Sequence, residues 1–253
     1  MSVVVAEERD RVLVLTINRP EVRNAVNLAV AHALAAAVDE FERRSDLTVA
    51  VVTGAGGSFC AGMDLKAFAA GERPSLPGRG FAGVTERPPT KPLIAAVEGW
   101  ALAGGFELAL AADLIVAASD AQFGLPEVKR GLVAAAGGLL RLPKVLPYQL
   151  ALQIALTGDP ITAEKAHAHG LVTELVEPGQ ALAGAVRLAT RIGENGPLAV
   201  SATKRVMVQS AKYTDPDAFA AQRPIIEPVF LSEDAIEGAR AFAEKRPPVW
   251  QGR

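Results

Sequence analysis

Residues 91–117 read KPLIAAVEGWALAGGFELALAADLIVA, and this stretch decides the fold. Leu93 to Val97 is a short apolar run behind a proline, with strand length and composition. Gly104 and Gly105 then open a run that predicts a short helix to about Ala112. Asp113 to Ala117 predicts a further strand almost at once. Connections this short between strands suggest a tight right-handed spiral. Periodicity alone leaves a doubly wound sheet equally open.

Working outward, Val12–Ile17 and Val49–Thr53 predict two earlier strands. Asn27 is placed to cap a helix running through the alanines to about Arg43. Ala121–Phe123 predicts a short fifth strand. From about Leu139 the pattern turns helical. Segments near 148–157, 162–168, 178–193, 196–212, 216–231 and 233–244 are divided by Gly or Pro, and only Leu171–Val176 looks extended. The chain thus reads as an α/β core over 1–195 followed by a helical region over 196–253. Residues 71–92, rich in Gly, Pro and charge, predict an exposed mobile loop, with the further option of a flexible wall over a pocket.

Bulk properties exclude several classes. Half of the 253 residues are hydrophobic and the net charge is −2, with Lys and Arg scattered and few Trp or Tyr. Nucleic acid is therefore not an expected partner. The single cysteine, Cys60, excludes an internal disulfide framework, and nothing near it in sequence supplies a base. His167 and His169 lack the i, i+4 spacing of a helical metal pair, so no metal is expected. The N-terminus has no secretory or transit character and no run predicts a membrane span. The chain reads as a soluble cytoplasmic protein with no membrane partner.

Two carboxylates stand out. Glu107 lies inside an otherwise apolar run and Glu127 follows Phe123-Gly124-Leu125-Pro126. Burying a carboxylate is costly, so a pair in apolar surroundings suggests acid/base chemistry. Two small-residue turns, Ala61–Gly62 and Ala103–Gly105, each precede a helix. Together they could aim two N–H groups at one oxygen. Each turn alone is equally a simple turn without a ligand. Asp64 is placed to cap the helix after the first.

These pieces resemble the crotonase (enoyl-CoA hydratase/isomerase) superfamily. The marks appear in order: INRPEVRNAVN at 17–27, FCAGMDL at 59–65, the 91–117 stretch, AQFGLPEVKRGLVAAAGG at 121–138, LTGDPITAEKAHAHGLV at 156–172 and FAEKRPPVW at 242–250. The resemblance implies a spiral of ββα units with a C-terminal helical region for trimer formation, often as a dimer of trimers. It implies an acyl-CoA thioester as substrate and no separate cofactor. By motif position, the backbone N–H groups of Met63 and Gly104 would form an oxyanion hole, and Glu107 and Glu127 would be the catalytic pair. Arg23, Asn24, Ala25, Ala61, Gly62, Asp64 and Leu65 match the CoA groove. Lys245 matches a position that reaches CoA phosphates, often from a neighbouring subunit.

The expected activity is hydration of an enoyl-CoA. The alternatives are acyl-CoA binding without turnover, or Δ3-Δ2 isomerisation. Where hydratases of short enoyl chains commonly have Pro-Gly and Thr-Gln, residues 134–140 read AAAGGLL. The form GGLLRLPK is closer to the crotonobetainyl-CoA hydratase branch. If a glycine here helps hold water in relatives, Ala135 would present its N–H differently.

Overall fold

A computed structural model describes the backbone of residues 2–210 and 215–253. The chain starts with a hairpin of β1 (Val4–Arg9), which was not expected from the sequence, and β2 (Val12–Ile17), which was. The order continues α1 (Leu28–Arg43), β3 (Val49–Gly54), α2 (Leu65–Ala69), β4 (Ser75–Leu76), β5 (Gly80–Phe81), β6 (Leu93–Val97), β7 (Trp100–Leu102), α3 (Gly104–Ala111), β8 (Leu114–Ala118) and β9 (Gln122–Gly124). A 3-10 turn over Pro126–Arg130 leads to α4 (Gly138–Val145), α5 (Tyr148–Thr157), β10 (Ile161–Thr162), α6 (Ala163–Ala168) and β11 (Glu174–Val176). Helices α7 (Ala181–Gly193), α8 (Pro197–Ser210), α9 (Asp215–Phe230) and α10 (Glu233–Glu244) close the chain.

The main sheet has six strands in the order β1-β2-β3-β6-β8-β11, parallel from β2 onward. A second ladder runs beside it. Val26 pairs with Met63, Cys60 with Ala101, β7 with β9, and β9 with β10. Each turn of chain therefore places one strand in the main sheet and a second extended piece in the side ladder, then enters a helix. This is the spiral of ββα units, and it resolves the choice against a doubly wound sheet. The sequence missed β7 because Trp100–Leu102 is only three residues long and sits directly behind Gly99, where φ is positive.

Strand alternation feeds two cores. Val12, Val14, Val49, Val51, Ile94, Ala96 and Val116 face α7, whose Ala181, Ala185 and Ala189 repeat every four residues. Leu13, Leu15, Ala50, Val52, Leu93 and Ala95 face the opposite way, toward Leu34, Phe41, Phe106 and Phe123. Asn27 caps α1 by accepting from the Val30 N–H at 3.1 Å, as expected.

Residues 71–92 correct one expectation. Phe81, Ala82, Val84 and Thr85 are buried, not exposed. Arg79 ties the segment to α1 by donating to Ala35 O and by an ion pair with Asp39. The Pro- and Gly-rich composition reflects tight turns under packing, with positive φ at Gly78, Gly80, Ala82 and Gly83, rather than exposure. The segment packs Phe81 over the start of α3: a Cβ at Gly104 would lie 2.6 Å from its ring.

Candidate active site

The side ladder brings the two small-residue turns together. Cys60 N–H bonds Trp100 O at 3.0 Å and Leu102 N–H returns to Cys60 O at 3.0 Å. The two chains then leave the ladder side by side into α2 and α3. A Cβ on Gly62 would sit 2.8 Å from Ala103 Cβ and 3.1 Å from Gly104 N, so only glycine permits this approach. Gly62 also needs φ +94, a conformation that L side chains rarely adopt. Ala103 itself holds φ 51, ψ −130, an uncommon geometry for a residue with a Cβ. Neither Met63 N–H nor Gly104 N–H donates to any described protein acceptor. Two adjacent free donors at such turns are a site for an oxyanion.

The segment before the first turn is a structural knot. Asn24 is fully buried at φ 57. Its Oδ1 accepts from Arg19 N, and its Nδ2 donates to Ala55 O at 2.8 Å and Ser58 O at 2.7 Å. Arg23 O accepts from Ala61 N–H at 3.0 Å. Arg19 donates to Ala25 O and pairs with Asp64 at 2.9 Å. The Asp64 carboxylate also caps α2 through Lys66 N and Ala67 N, as its position suggested. The side chains of Asn24 and Asp64 are thus committed to holding the turn, and what this stretch offers a ligand is backbone, together with half-exposed Leu65. Lys245 is exposed at the end of α10, whose main packing is against α9 rather than α2 or α3.

Glu107 is 3% exposed on the first turn of α3, beside the buried Phe106–Phe123 ring pair, whose centroids lie 5.4 Å apart. Its Oε1 accepts from Ala136 N at 2.7 Å and Gly138 N at 2.8 Å. Burial pushes its carboxyl above the usual range, while these two bonds and the charge of Arg141 pull it back down. Glu127 projects from the 3-10 turn. Its Oε2 is buried without a hydrogen-bond partner among the described residues. Burial pushes its pKa up to about 7, and the neighbouring Glu107 charge adds to the rise. The structure therefore brings the two carboxylates, twenty positions apart in sequence, within mutual electrostatic reach.

A cavity of about 310 Å³ opens from Glu127 between the 3-10 turn, α4 and α5. Its walls include Leu125, Ala134, Leu142, Tyr148, Ala151 and Ala155, and Glu127 is the one charged side chain lining it. Sequence reading had not identified this cavity, because its lining is spaced irregularly from 125 to 156. Cys60 is buried and burial pushes its thiol up to about 12, so it is not poised as a nucleophile. His167 is engaged with Val172 O through Nδ1.

The chain thus carries two carboxylates within electrostatic reach of each other, with Glu107 one helical turn beyond the unpartnered Gly104 amide. The family model for enoyl-CoA hydratase/isomerase matches residues 7–253, and the chain belongs to that family. The chain is similar to the enoyl-CoA hydratase EchA1 of Mycobacterium marinum, a crystal structure with 60% identity, full coverage of both chains and a TM-score of 0.98. It is 43% identical to the enoyl-CoA hydratase EchA19 of Mycobacterium tuberculosis over 98% of this chain and 96% of that one. It is equally 43% identical to a carnitinyl-CoA dehydratase of Salmonella typhi, over 96% and 95%. The fold is accordingly the crotonase-type spiral with its C-terminal helices.

Proposed function

We propose that this chain is an enoyl-CoA hydratase-like hydro-lyase that adds water across the α,β double bond of an acyl-CoA thioester. The observation that carries this is the pair of buried carboxylates with unlike surroundings, together with two backbone donors that have no acceptor among the described residues. The thioester oxygen accepts from Met63 N–H and Gly104 N–H, which stabilises enolate character as attack proceeds. Glu107, held by two N–H bonds and facing a cation, serves as the base. It takes a proton from water as the water oxygen bonds to the β-carbon. Glu127, with a pKa near 7 and an unpartnered oxygen, carries the proton that goes to the α-carbon. The product is the 3-hydroxyacyl-CoA, and proton return from Glu107 to Glu127 completes the cycle.

The apolar cavity beyond Glu127 supports an uncharged aliphatic acyl group. Backbone at 23–25 and 61–65 supports the CoA moiety, with Lys245 reaching its phosphates from a neighbouring subunit. No cofactor beyond the thioester substrate is required. Exposed apolar side chains on the C-terminal helices, among them Met207, Phe219, Phe230, Leu231, Ile236 and Phe242, support assembly of the 196–253 region into a homotrimer or a dimer of trimers. No helix among the described residues is long and apolar enough to cross a membrane.

The test is hydration of crotonyl-CoA and longer enoyl-CoAs by wild type, Glu107→Gln and Glu127→Gln. Each variant is expected to lose about 10²- to 10⁴-fold in kcat. Tight acyl-CoA binding without turnover by wild type would instead mark a binding protein. A sharp difference between the two variants, with Δ3-enoyl-CoA as the better substrate, would mark an isomerase.

A further inference from the structure

Arg141 is a half-buried cation on the first turn of α4 with no carboxylate within ion-pair distance among the described residues. Its Nη2 donates to Thr85 O at 2.6 Å, and its Nη1 reaches Ala136 O at 3.4 Å. Both acceptors are neutral carbonyls. The position is costly on two counts. A desolvated guanidinium without a direct anionic partner loses hydration, and a cation near a helix N-terminus opposes the macrodipole. The chain also makes room for it: a Cβ on Gly137 would lie 2.0 Å from Nη1, and Gly137 holds φ +102. A costly group with a cleared seat calls for a role beyond packing.

What Arg141 joins supplies that role. Thr85 belongs to the 71–92 segment that packs Phe81 over Gly104. Ala136 belongs to the turn whose N–H groups, at Ala136 and Gly138, hold Glu107 Oε1. We propose that Arg141 is a positioning residue for Glu107: its guanidinium ties the wall segment at Thr85 to the 136–138 turn, fixing both donors, and lays a positive charge beside the carboxylate. This rests on the reading of Glu107 as the base. The charged groups facing the pair are Arg141 from α4 on the Glu107 side and Arg130 from the 3-10 turn on the Glu127 side, with each glutamate facing the other. Arg141 thereby lowers the proton affinity of Glu107, separating the two carboxylates into base and acid.

The experiment uses the full chain carrying Arg141→Met and Arg141→Lys, with enoyl-CoA hydration followed across pH. Arg141→Met is expected to lose about 10- to 100-fold in kcat with KM within about threefold of wild type, because a loosened supporting residue displaces the base. Its acidic limb should move to higher pH, since Glu107 loses its cation. Arg141→Lys should return the limb toward wild type while recovering kcat only in part, because one ammonium lacks the planar fork that reaches both carbonyls. Wild-type kcat and an unmoved acidic limb in Arg141→Met would overturn the proposal. So would a loss confined to KM or to thermal stability. If wild type hydrates no thioester, the hydratase reading fails separately. Titration of the Glu107 carboxyl by ¹³C NMR, assigned with Glu107→Gln, then decides: an unchanged Glu107 titration in Arg141→Met overturns the positioning role.

Discussion

Replacing Gly138 by alanine isolates the position of the Glu107 carboxylate from almost everything else. Gly138 does not occupy the left-handed region, so alanine adopts its backbone without strain. The added Cβ would lie 3.0 Å from Glu107 Cγ, 3.1 Å from Oε1 and 3.4 Å from Cδ. Ordinary contact begins at about 3.4–3.5 Å, so the side chain must yield by about 0.3–0.5 Å. A misplacement of about 1 Å costs on the order of 10² in rate, so a shift of this size should cost about four- to tenfold in kcat. Stability should move the other way. Alanine is favoured over glycine in a helix and restricts the unfolded chain, each worth a gain of up to about 1 kcal/mol. Part of that gain is lost to the crowding. The assay is kcat for enoyl-CoA hydration beside the urea midpoint of the same preparation. Wild-type kcat in a variant of equal or greater stability would refute the claim that these contacts place the base.

Four further outcomes follow from the structure. Glu127 carries a folded pKa of about 7, above its ordinary value, so the folded state holds that proton more tightly than the unfolded chain. Its contribution to stability is complete below the ordinary carboxylate pKa and fades as pH rises through about 7. Melting temperatures of wild type relative to Glu127→Gln should therefore fall over that window, and parallel curves would contradict the assignment. For the same reason kcat should decline above about pH 7, where Glu127 no longer carries its proton; a flat profile to pH 9 would argue against its acid role. Ala155→Phe should fill the floor of the apolar cavity, cutting kcat/KM for a twelve-carbon enoyl-CoA about tenfold or more while crotonyl-CoA is spared; equal losses on both substrates would dismiss the cavity as the acyl site. Asn24→Ala, which strands Arg19 N, Ala55 O and Ser58 O in the interior, should lower stability by about 2–3 kcal/mol in denaturant titration, and a change under 0.5 kcal/mol would refute its structural reading.

The elements legible from sequence were those with long or clean signals. The helices at 148–157 and 233–244 lie where the sequence predicts them, because Gly, Pro or Ser marks their ends and their periodicity is unbroken. Strands β2, β3 and β6 were visible as β-branched or apolar runs. Of the side ladder only β9 was visible, as the run at Ala121–Phe123, since Val26, Cys60 and Met63 contribute single bridge positions that carry no periodic signal. The glutamates were legible as carboxylates in apolar surroundings, and the two turns as glycine followed by helix. Their meeting was not legible, because it depends on Gly62 and Ala103 packing so closely across the ladder that a Cβ on Gly62 would lie 2.8 Å from Ala103 Cβ. Arg141 has no distinguishing signal in the sequence. Its distinction is what its guanidinium touches, and both acceptors are backbone carbonyls, which leave no trace in side-chain identity.

That point also decides how to weigh the alanines at 134–136. A reader comparing side chains would place the departure from the short-chain hydratase pattern beside the catalytic base and infer altered chemistry. The bonds to Glu107 come from the backbone N–H of Ala136 and Gly138, with no contribution from Ala135. Any residue but proline provides such a donor, so glycine-to-alanine changes leave this part of the acid/base apparatus intact. Ala134 instead faces the apolar cavity, together with Leu139 from the position after the Gly-Gly pair. The departure thus falls on the wall of the cavity proposed for the acyl group. On that reading Ala134 and Leu139 shape the acyl site, while the backbone of the same turn holds Glu107 whatever the side chains at 134–136.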